Sequence, residues 1–486
     1  MALILPGNVA SAAPTTFSVA NSCRFNDGDS SYMEKSSSAG NRKTFTFSAW
    51  VKRGILGGGS SGYNTFFSSD QAVANSFRVT FNDDDGSEDD RLMTYFYTGS
   101  QQMQLITNRV FRDCSAWYHI VIAVDTTQAV AANRTKLYVN GVQETSLSTA
   151  NYPDQNQDMS VNQSGAPARV GAGTDLYFDG YMAEVCLIDG SALAPTSFGE
   201  FNEDSPTIWQ PIDVSGLTFG TNGFYLDFEA SDNLGNDANG GTDLTETNLA
   251  AADQSSDSPT NNFCTFNPLY RQAVTLTLSE GNCKVVTDSN DTPSALTTMG
   301  MTAGKWYCEF KLQAGEGGNV RMDCGVTGSP NEDARNTDYV GQQDYGYGYS
   351  GETGNKRHDQ GTTGSSYGNA MSVGDIIGVA LDLDNLKIYF AINNTWQNSG
   401  DPESGATGTG AAFTVKAPGL LPEQAYFFSC SDHSAGYSQT IEANFGGCSA
   451  FTLSSAAADG NGYGAFEYAP PSGYLALCTK NLAEEG

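Results

Sequence analysis

The sequence has few positive charges. Its 486 residues contain 24 Lys and Arg against 55 Asp and Glu, so the formal charge is −31 at neutral pH. Nucleic acids and anionic membrane surfaces are both bound through a basic face, so the composition excludes these two classes of partner. No basic residue lies between Arg169 and Arg271, while residues 170–270 hold 16 carboxylates. This uneven distribution predicts separate modules along the chain.

The sequence also lacks long apolar runs and convincing helical periodicity. No window approaches the roughly 20 apolar residues of a membrane helix. The first basic residue is Arg24, and Pro6-Gly7 interrupts the short apolar start, so we expect no signal peptide. The ten cysteines form no C-x-x-C pair, which favours buried thiols in a protein made in a reducing cytoplasm. A disulfide or zinc framework is the alternative interpretation.

The residues that are present indicate β-structure. Gly (54), Phe (26) and Tyr (23) are frequent, and short alternating runs recur between turn residues. Residues 44–51 alternate with period two, and residues 136–139 run into Asn140-Gly141, the strongest hairpin dipeptide. Residues 177–188 read as a strand with a bulge or bend at Gly180. We therefore predict an all-β chain with two antiparallel β-sandwich (jelly-roll) domains.

The composition also predicts domain boundaries. Residues 211–270 are rich in Asn, Asp, Thr, Ser and Gly, so we interpret them as an acidic, mostly irregular connector. We expect subunit contacts or divalent cations to offset its carboxylates. The predicted organisation is an N-terminal segment (1–14), a first sandwich (15–210), the connector (211–270), a second sandwich (271–450) and a C-terminal tail that packs as a last strand (451–486).

Two sets of motifs carry family resemblances. The first set is FTFSAWVK (45–52), WYHIVIAVD (117–125), KLYVNGV (136–142) and FDGYMAEVCLIDG (178–190). It resembles the laminin-G-like branch of the concanavalin-A-like lectin fold, over residues 15–205. The second set is GKWYCEF (304–310), GYGYSG (346–351), GDIIGVALDLDNLKIYFAINN (374–394) and IEANFGG (441–447). It resembles a SPRY domain over residues 271–450, which implies partner binding through loops at one end of a jelly roll.

The order of these modules is similar to that of virion or tail-fibre-associated proteins of tailed bacteriophages, especially marine ones. Their shared segments include FNEDSPTIWQP (201–211) and PPSGYLALCTKNL (470–482). The resemblance implies a non-enzymatic protein of the virion surface, made in the host cytoplasm, which binds other virion proteins and a host-surface glycan or protein. It also implies a homo-oligomer, with a trimer favoured. A purely structural head-fibre or decoration protein and a polysaccharide depolymerase are the alternatives.

Catalytic motifs are weak in this sequence. Glucanases on a jelly-roll frame place an E-x-D-x-E series on one strand, and here Asp227-Phe228-Glu229 lacks the third acid. Residues 364–368 fit G-x-S-x-G, but their flanks predict no strand-turn-helix. His119, one of three histidines, alternates on an apolar strand and is expected to be structural. We therefore expect no enzymatic activity.

An acidic loop at residues 82–90 is the candidate metal site. Hard oxygen ligands around a Gly turn suit calcium, which takes six to eight oxygens. The candidate ligands are Asp83, Asp85, Asp89 and Asp90, with a solvated charged hairpin as the alternative. Calcium is accordingly the one cofactor that the sequence suggests.

The candidate ligand-binding residues lie in the second sandwich. Lys356, Arg357 and His358 form a rare basic cluster within a long polar insert. Trp396 stands in a polar loop where no core pattern requires it, so we predict an exposed contact residue. Alternating tyrosines could stack on sugar rings or pack between the sheets. These tyrosines are Tyr345, Tyr347 and Tyr349.

Overall fold

The computed structural model describes residues 17–56, 62–72, 75–82, 88–270, 276–288, 292–328, 339–359 and 364–486. Antiparallel sheets dominate the described residues, which confirms the predicted all-β class. The chain divides into two compact units, and the boundary falls between Thr260 and Asn261. No helix in the described ranges is long and apolar enough to cross a membrane.

The first unit contains two large sheets. Sheet A has the order β10-β9-β8-β3-β15-β1-β20, with β18 paired to β15. Its strands are β1 (Ser22–Phe25), β3 (Thr44–Arg53), β8 (Tyr118–Asp125), β9 (Thr135–Val139), β10 (Val142–Gln143), β15 (Gly180–Asp189), β18 (Phe224–Leu226) and β20 (Gln254–Ser255). The β9–β10 hairpin turns at Asn140-Gly141, as the sequence predicts.

Sheet B has the order β11-β7-β6-β5-β4-β12-β2-β19. Its strands are β2 (Tyr32–Lys35), β4 (Tyr63–Ala72), β5 (Asn75–Asn82), β6 (Arg91–Tyr97), β7 (Gln101–Val110), β11 (Leu147–Asn151), β12 (Ala168–Val170) and β19 (Thr245–Thr247). Two small hairpins accompany the sheets, β13 (Ala172–Gly173) with β14 (Leu176–Tyr177) and β16 (Gly199–Phe201) with β17 (Trp209–Pro211). Short 3₁₀ turns occupy Asp27–Asp29, Ala131–Asn133, Pro195–Ser197 and Ala251–Asp253.

The period-two pattern of β3 fixes how the sheets pack. Phe45, Phe47, Ala49 and Val51 point into a core that sheets A and B share, whereas Ser48, Trp50 and Lys52 point away from it. The predicted bend at Gly180 is confirmed, because β14 ends at Tyr177 and β15 begins at Gly180, whose φ is +144°. A second irregularity lies further along, where the register of β15 against β3 shifts between Ala183 and Cys186.

The predicted connector requires correction. Residues 211–260 belong to the first unit, since β18, β19 and β20 pair with β15, β2 and β1 respectively. Composition concealed this because the pairing strands are only two or three residues long. Side chains of the same region also pack on the outer face of sheet A, where Val214, Phe219 and Tyr225 join Val121 and Ile188 in a second apolar cluster.

A buried ion pair holds the end of this region to sheet A. Lys52 Nζ lies 2.6 Å from Asp257 Oδ2, and both side chains are 1% exposed. The indole N–H of Trp117 donates to Asp257 Oδ1 at 3.0 Å, and the Lys52 ammonium lies over the ring of Tyr181. A buried charge is stable only when it is paired and hydrogen-bonded, so the contact with Lys52 keeps Asp257 packed on sheet A.

Two further ion pairs follow the same plan. Arg24 contacts Asp253 at 2.9 Å, and Lys35 contacts Asp237 at 3.1 Å. In all three pairs, a basic side chain from the N-terminal part of the unit neutralises an acidic side chain from its C-terminal part, which contains no Lys or Arg. Part of the charge that we expected subunits or cations to offset is therefore offset within the unit.

The second unit is another pair of antiparallel sheets. Sheet C has the order β21-β22-β34-β24-β29-β30-β31, with β32 on β30 and β35 parallel to β24. Its strands are β21 (Leu276–Ser279), β22 (Lys284–Thr287), β24 (Lys305–Gly315), β29 (Ile376–Asp382), β30 (Lys387–Ile392), β31 (Thr395–Trp396), β32 (Phe413–Thr414), β34 (Gln439–Asn444) and β35 (Leu475–Ala476). The predicted strand pair within residues 374–390 is confirmed as β29 and β30.

Sheet D has the order β23-β33-β25-β26-β27-β28. Its strands are β23 (Ser294–Leu296), β25 (Met322–Thr327), β26 (Gly346–Ser350), β27 (Asn355–Arg357), β28 (Ser365–Ser366) and β33 (Phe427–Asp432). Short 3₁₀ turns occupy Glu316–Gly318, Gln397–Ser399, Pro402–Thr407 and Pro418–Leu420.

The ten cysteines of the chain are all buried, which confirms that they are small core residues.

The C-terminal tail covers the outer face of sheet C. Phe466, Tyr474 and Ala476 pack with Tyr307 and Tyr389 of the sheet. The tail supplies β35, as predicted, and then forms a helix that the sequence did not indicate, α1 (Thr479–Glu485).

Glu309 of β24 attaches this tail. Its fully buried carboxylate accepts hydrogen bonds from the backbone N–H groups of Glu467 and Tyr468, at 2.9 and 2.8 Å. Tyr307 and Asn444 donate two more. Burial nevertheless raises the pKa of Glu309 to about 7, because desolvation outweighs the hydrogen bonds.

The Lys52–Asp257 pair gives a stability prediction. We expect Asp257→Ala to lower the free energy of unfolding by about 3–5 kcal/mol, because Lys52 would remain buried without a counter-charge. Asp232→Ala, an exposed acid of the same region, is the matched control and should change stability by about 0.5 kcal/mol or less. Urea unfolding followed by tryptophan fluorescence measures both. Equal stability of the two variants would show that the pair does not anchor this segment.

Candidate functional site

The three alternating tyrosines lie in the core of the second unit. Tyr345, Tyr347 and Tyr349 are 8%, 1% and 0% exposed and pack between sheets C and D. The predicted sugar-stacking platform is therefore wrong, and the alternative that they pack between the sheets is right. The intervening glycines explain the pattern, since a Cβ at Gly348 would lie 2.5 Å from the carbonyl oxygen of Val340. The chain around Val340 thus packs on the opposite face of β26.

Arg357 is also buried, at 2% exposure. One guanidinium nitrogen lies 2.7 Å from Asp323 Oδ2, another donates to Ser350 Oγ at 3.1 Å, and the ring of Tyr339 covers the group. The prediction that Arg357 is an exposed contact residue is wrong, because the polar insert returns it onto the outer face of sheet D. Sequence gave no sign of its partner, since Asp323 lies 34 residues away.

The same face of sheet D carries a wider charged network. Nδ1 of His433 lies 3.1 Å from Asp323 Oδ1, and Nε2 lies 2.9 Å from Glu352 Oε2. Arg321 forms an ion pair with Glu352. The imidazole therefore forms a hydrogen bond with Glu352 and lies beside Asp323, and the network joins β25 and β27 with the turn after β26 and the residue after β33.

The other two basic candidates are partly exposed. Lys356 Nζ donates to the carbonyl oxygen of Ala412 at 2.6 Å and lies 4.9 Å from the ring centroid of Phe413. Burial lowers the pKa of Lys356. His358 stacks on Tyr347 at 4.2 Å, and its Nδ1 is 2.9 Å from the carbonyl oxygen of Gly346. The structure therefore separates the predicted basic cluster into two surface residues and one buried residue.

Trp396 begins the turn after the β30–β31 hairpin and is partly buried. Its ring packs against the cluster that joins sheet C to the tail. A part of the ring stays accessible, so its role as a contact residue remains a prediction.

The acidic loop is only partly described. Asp83 and Asp85 lie outside the described residues, and Asp89 is partly exposed. Asp90 is buried, with Oδ1 3.0 Å from Arg53 and Oδ2 2.6 Å from Arg112, so both its oxygens already face guanidinium groups. Among the residues that the structure describes, no three His, Cys, Asp or Glu side chains are grouped to hold a metal ion. Calcium at this loop stays a prediction.

A row of polar side chains crosses the outer face of sheet B, and we call it the polar row. Each member is directly opposite the next in the strand register, so all share the face that points away from the core. Its members are Asn151, Gln104, Tyr95, Arg78, Ser68, Arg169, Glu34 and Thr245. With strands spaced by about 4.8 Å, the row spans roughly 30 Å.

The cations of the polar row are held by neighbouring acids. Asp70 lies 3.3 Å from Arg78 and also accepts from the hydroxyl and backbone N–H of Thr174. Glu34 pairs with Arg169 at 2.8 Å. These contacts fix the side chains before any ligand arrives.

The β13–β14 hairpin lies on the middle of this face. Ser68 donates to the carbonyl oxygen of Ala172 at 2.8 Å, and a Cβ at Gly173 would lie 3.2 Å from Arg78 Nε. The hairpin therefore separates the part of the row on β5, β6 and β7 from the part on β12 and β2. Tyr95 and Gln104, on the first part, are partly exposed.

Sequence reasoning missed the polar row. The polar alternation within Phe77–Asn82 (FRVTFN) was a usable signal for one strand. The row itself needs the register of eight strands, which no local pattern contains.

Two known protein families match parts of the chain. Residues 27–196 match the concanavalin A-like lectin/glucanases superfamily, and residues 305–422 match the SPRY domain. The chain carries a concanavalin A-like domain followed by a SPRY domain. Seven of the eight members of the polar row, all but Thr245, lie within the concanavalin A-like match, and the Asp323–Arg357 pair lies within the SPRY match.

Solved structures resemble parts of the chain at low identity. The SPRY domain of human HERC1 is 17% identical, with 38% of this chain and 99% of that chain covered and a TM-score of 0.29. A Bacteroides ovatus protein described as carbohydrate binding is 16% identical, with 48% and 59% covered and a TM-score of 0.32. Domain 4 of a GH43 arabinanase from Geobacillus stearothermophilus is 18% identical, with 33% and 65% covered and a TM-score of 0.24. The search of curated proteins found no match.

The concanavalin A-like domain contains a buried Ser–His pair. Nε2 of His119 lies 2.9 Å from Ser48 Oγ, and Nδ1 lies 2.9 Å from the indole nitrogen of Trp209. Because an indole N–H only donates, Nδ1 must accept, and Nε2 carries the proton that it donates to Ser48. This tautomer cannot take a proton from Ser48. The ring is also stacked between Trp50 and Trp209, which agrees with the predicted structural role.

Glu184 of β15 lies near two acids that follow β18, Asp227 and Glu229. Glu184 is 6% exposed and accepts a 2.7 Å hydrogen bond from the hydroxyl of Tyr225. Desolvation, reinforced by the charges of Asp227 and Glu229, raises its pKa to about 8. Asp227 and Glu229 therefore lie beside the sandwich strand β15, and our expectation that they fall outside the sandwich is wrong.

The G-x-S-x-G match has no nucleophile-elbow geometry. Ser365 and Ser366 form the two-residue edge strand β28 and are exposed, and Tyr367 after them is buried. A nucleophile elbow requires a helix after the serine, and none follows here.

The buried imidazole gives a pH prediction. Burial lowers the pKa of His119 from 6.5 to about 3. Between these values the unfolded chain binds a proton that the folded domain does not, so stability falls as pH decreases below 6.5. Relative to His119→Gln, the wild type should lose about 1.4 kcal/mol per pH unit in this window. Urea unfolding at a series of pH values tests this, and parallel profiles for the two proteins would contradict it.

Arg357 gives a second prediction. Arg357→Ala should destabilise the SPRY domain by about 3–5 kcal/mol, because Asp323 would stay buried without its cation. Lys387→Ala is the matched control, since Lys387 only donates to Thr414 in an exposed hydrogen bond. Thermal unfolding distinguishes the two variants. Similar midpoints for both would mean that the Asp323–Arg357 pair does not stabilise the domain.

Proposed function

We propose that this chain is a non-enzymatic binding protein that holds a glycan on the outer face of sheet B. The observation that carries the proposal is the polar row, above all its partly exposed members on β6 and β7. An aromatic ring beside amide and guanidinium groups is the side-chain set that sugar recognition uses, because the ring covers a sugar face while the polar groups bind hydroxyls.

The geometry of this face supports the proposal. Tyr95 is opposite both Arg78 and Gln104, and its ring lies 5.7 Å from the guanidinium carbon of Arg78. Asp70 holds that guanidinium from beneath the β13–β14 hairpin. Ring, amide and hairpin therefore have fixed relative positions, so little side-chain entropy is lost when a ligand binds.

The non-enzymatic part of the proposal rests on the titratable groups. His119 is buried in a tautomer that cannot serve Ser48 as a base. Glu184 is buried, and its carboxylate accepts a hydrogen bond from the hydroxyl of Tyr225. General acid–base catalysis needs such a group within reach of substrate, and neither of these two lies on the outer face of sheet B. The carboxylates that do lie there, Asp70 and Glu34, are each paired with an arginine.

The biological setting of the proposal rests on resemblance alone. The order of the two domains and the tail motif at residues 470–482 support a protein of a bacteriophage virion surface, in which the glycan belongs to the host. Other virion proteins and further copies of this chain are the proposed assembly partners. Calcium at the acidic loop is the proposed cofactor.

Binding measurements on single variants test the site. We expect the purified protein to bind oligosaccharides on a glycan array, and Tyr95→Ala to weaken that binding about tenfold through loss of ring contact. Gln104→Ala should weaken it about two- to tenfold through loss of a hydrogen bond. Gln143→Ala, the same substitution at an exposed position of sheet A, is the matched control and should bind as the wild type does.

Two results would overturn the proposal. Full glycan affinity in both Tyr95→Ala and Gln104→Ala, with folding confirmed by unchanged urea midpoints, would remove the site. Release of reducing sugar from a bound polysaccharide would remove the non-enzymatic assignment.

A further inference from the structure

We infer that the ligand of the polar row is an uncharged glycan, recognised through its hydroxyl groups, and that acidic or sulfated glycans are rejected. This inference rests on the proposed function and goes further, because it names the chemical class of the ligand. Three independent features of the first unit carry it.

The first feature is that the cations of this face already have counter-ions. Arg78 pairs with Asp70, and Arg169 pairs with Glu34. A carboxylate or sulfate on a ligand would have to displace a fixed protein carboxylate to gain a charged contact. Both pairs sum to zero charge, and Arg91 on the same face lies 3.9 Å from Glu88, so these cations offer little attraction to an anion. A neutral hydroxyl, in contrast, can bind beside a paired guanidinium without disturbing the pair.

The second feature is a hydrogen-bond acceptor without a partner that lies beside a hydrogen-bond donor without a partner. Asn82 and Arg91 are directly opposite each other on β5 and β6, on the same face as the polar row. Asn82 is 8% exposed, and its Oδ1 has no hydrogen-bond partner; Nε of Arg91 has none either. Each unmatched buried group costs about 1–3 kcal/mol.

A hydroxyl group matches the chemistry of this pair and an anion does not. Both atoms are buried in the free protein, so the two side chains must turn outward to meet a ligand. A hydroxyl donates one hydrogen bond and accepts others, so it can donate to Asn82 Oδ1 while it accepts from Arg91. An ionised carboxylate or sulfate only accepts, and would leave Oδ1 of Asn82 unmatched. Tyr63, opposite Asn82 on β4, is partly exposed and adds an aromatic ring to this end of the face.

The third feature is the charge of the unit itself. Residues 1–260 hold 13 basic and 31 acidic residues, so this part of the chain carries a formal charge of −18. A charge of this size repels polyanions over a screening length of about 10 Å at 0.1 M salt. Neutral polysaccharides are unaffected by that field.

The test compares matched neutral and acidic oligosaccharides. The probes are gluco-, manno- and xylo-oligosaccharides against oligogalacturonates and sulfated oligosaccharides, titrated calorimetrically into the full chain at low and high salt. We expect neutral ligands to bind with little salt dependence and acidic ligands not to bind. Asn82→Ala should weaken neutral binding about two- to tenfold. Asn239→Ala, at an exposed position of the same unit, is the control and should leave affinity unchanged.

Each outcome has a separate meaning. Binding of acidic ligands that is equal to or tighter than neutral binding, and that weakens with salt, would overturn the neutral assignment while the glycan-binding proposal stands. Unchanged affinity in Asn82→Ala would remove the hydroxyl contact at that residue. Binding of neither class would overturn the proposed function and this inference with it.

Discussion

A buried charge must have a partner, and this constraint determines how the first unit closes. Lys52 points out of the sandwich core from β3, yet its side chain is 1% exposed. An ammonium group in such a place is tolerated only beside a carboxylate, and that carboxylate comes from Asp257, more than two hundred residues away. The requirement draws a segment of low apolar content onto sheet A. Hydrophobic burial alone would hold it weakly, since residues 229–260 contain few large apolar side chains.

The second unit meets the same requirement with a carboxylate in place of a lysine. Glu309 leaves β24 on the side away from the core, and the backbone N–H groups of the tail satisfy it. In both units an irregular C-terminal segment therefore closes one outer sheet face around a buried ionisable group. The outer face of sheet B is different. Its polar row keeps Tyr95 and Gln104 partly exposed, and its charges are balanced within the sheet and the β13–β14 hairpin. The charges of this face are paired without the C-terminal segment of the unit, and this is the face on which we propose that a ligand binds.

The fold could be predicted from the alternation of apolar and polar residues along the strands, because period-two alternation depends only on neighbours in sequence. Residues 44–51 and 374–390 are strands for this reason. Alternation shows which side chains share a face, but it does not show which face is inside. Tyr345, Tyr347 and Tyr349 were correctly grouped on one face, and their burial between sheets C and D shows that this face is the core. Arg357 and Asp257 were misjudged for a related reason: each depends on a partner that lies far away in the chain.

The net charge of −31 now has a structural explanation in part. Asp237, Asp253 and Asp257 are not a diffuse acidic surface, because each lies against a base from the start of the same unit. Most of the remaining described carboxylates are exposed or partly exposed, and the mutual repulsion of exposed charges falls with salt. A sandwich that neutralises its buried acids internally can carry a strongly negative surface without losing its fold. We propose that this surface also excludes polyanions from the polar row, so the acidic composition from which we predicted no nucleic-acid partner would also select the ligand at the site.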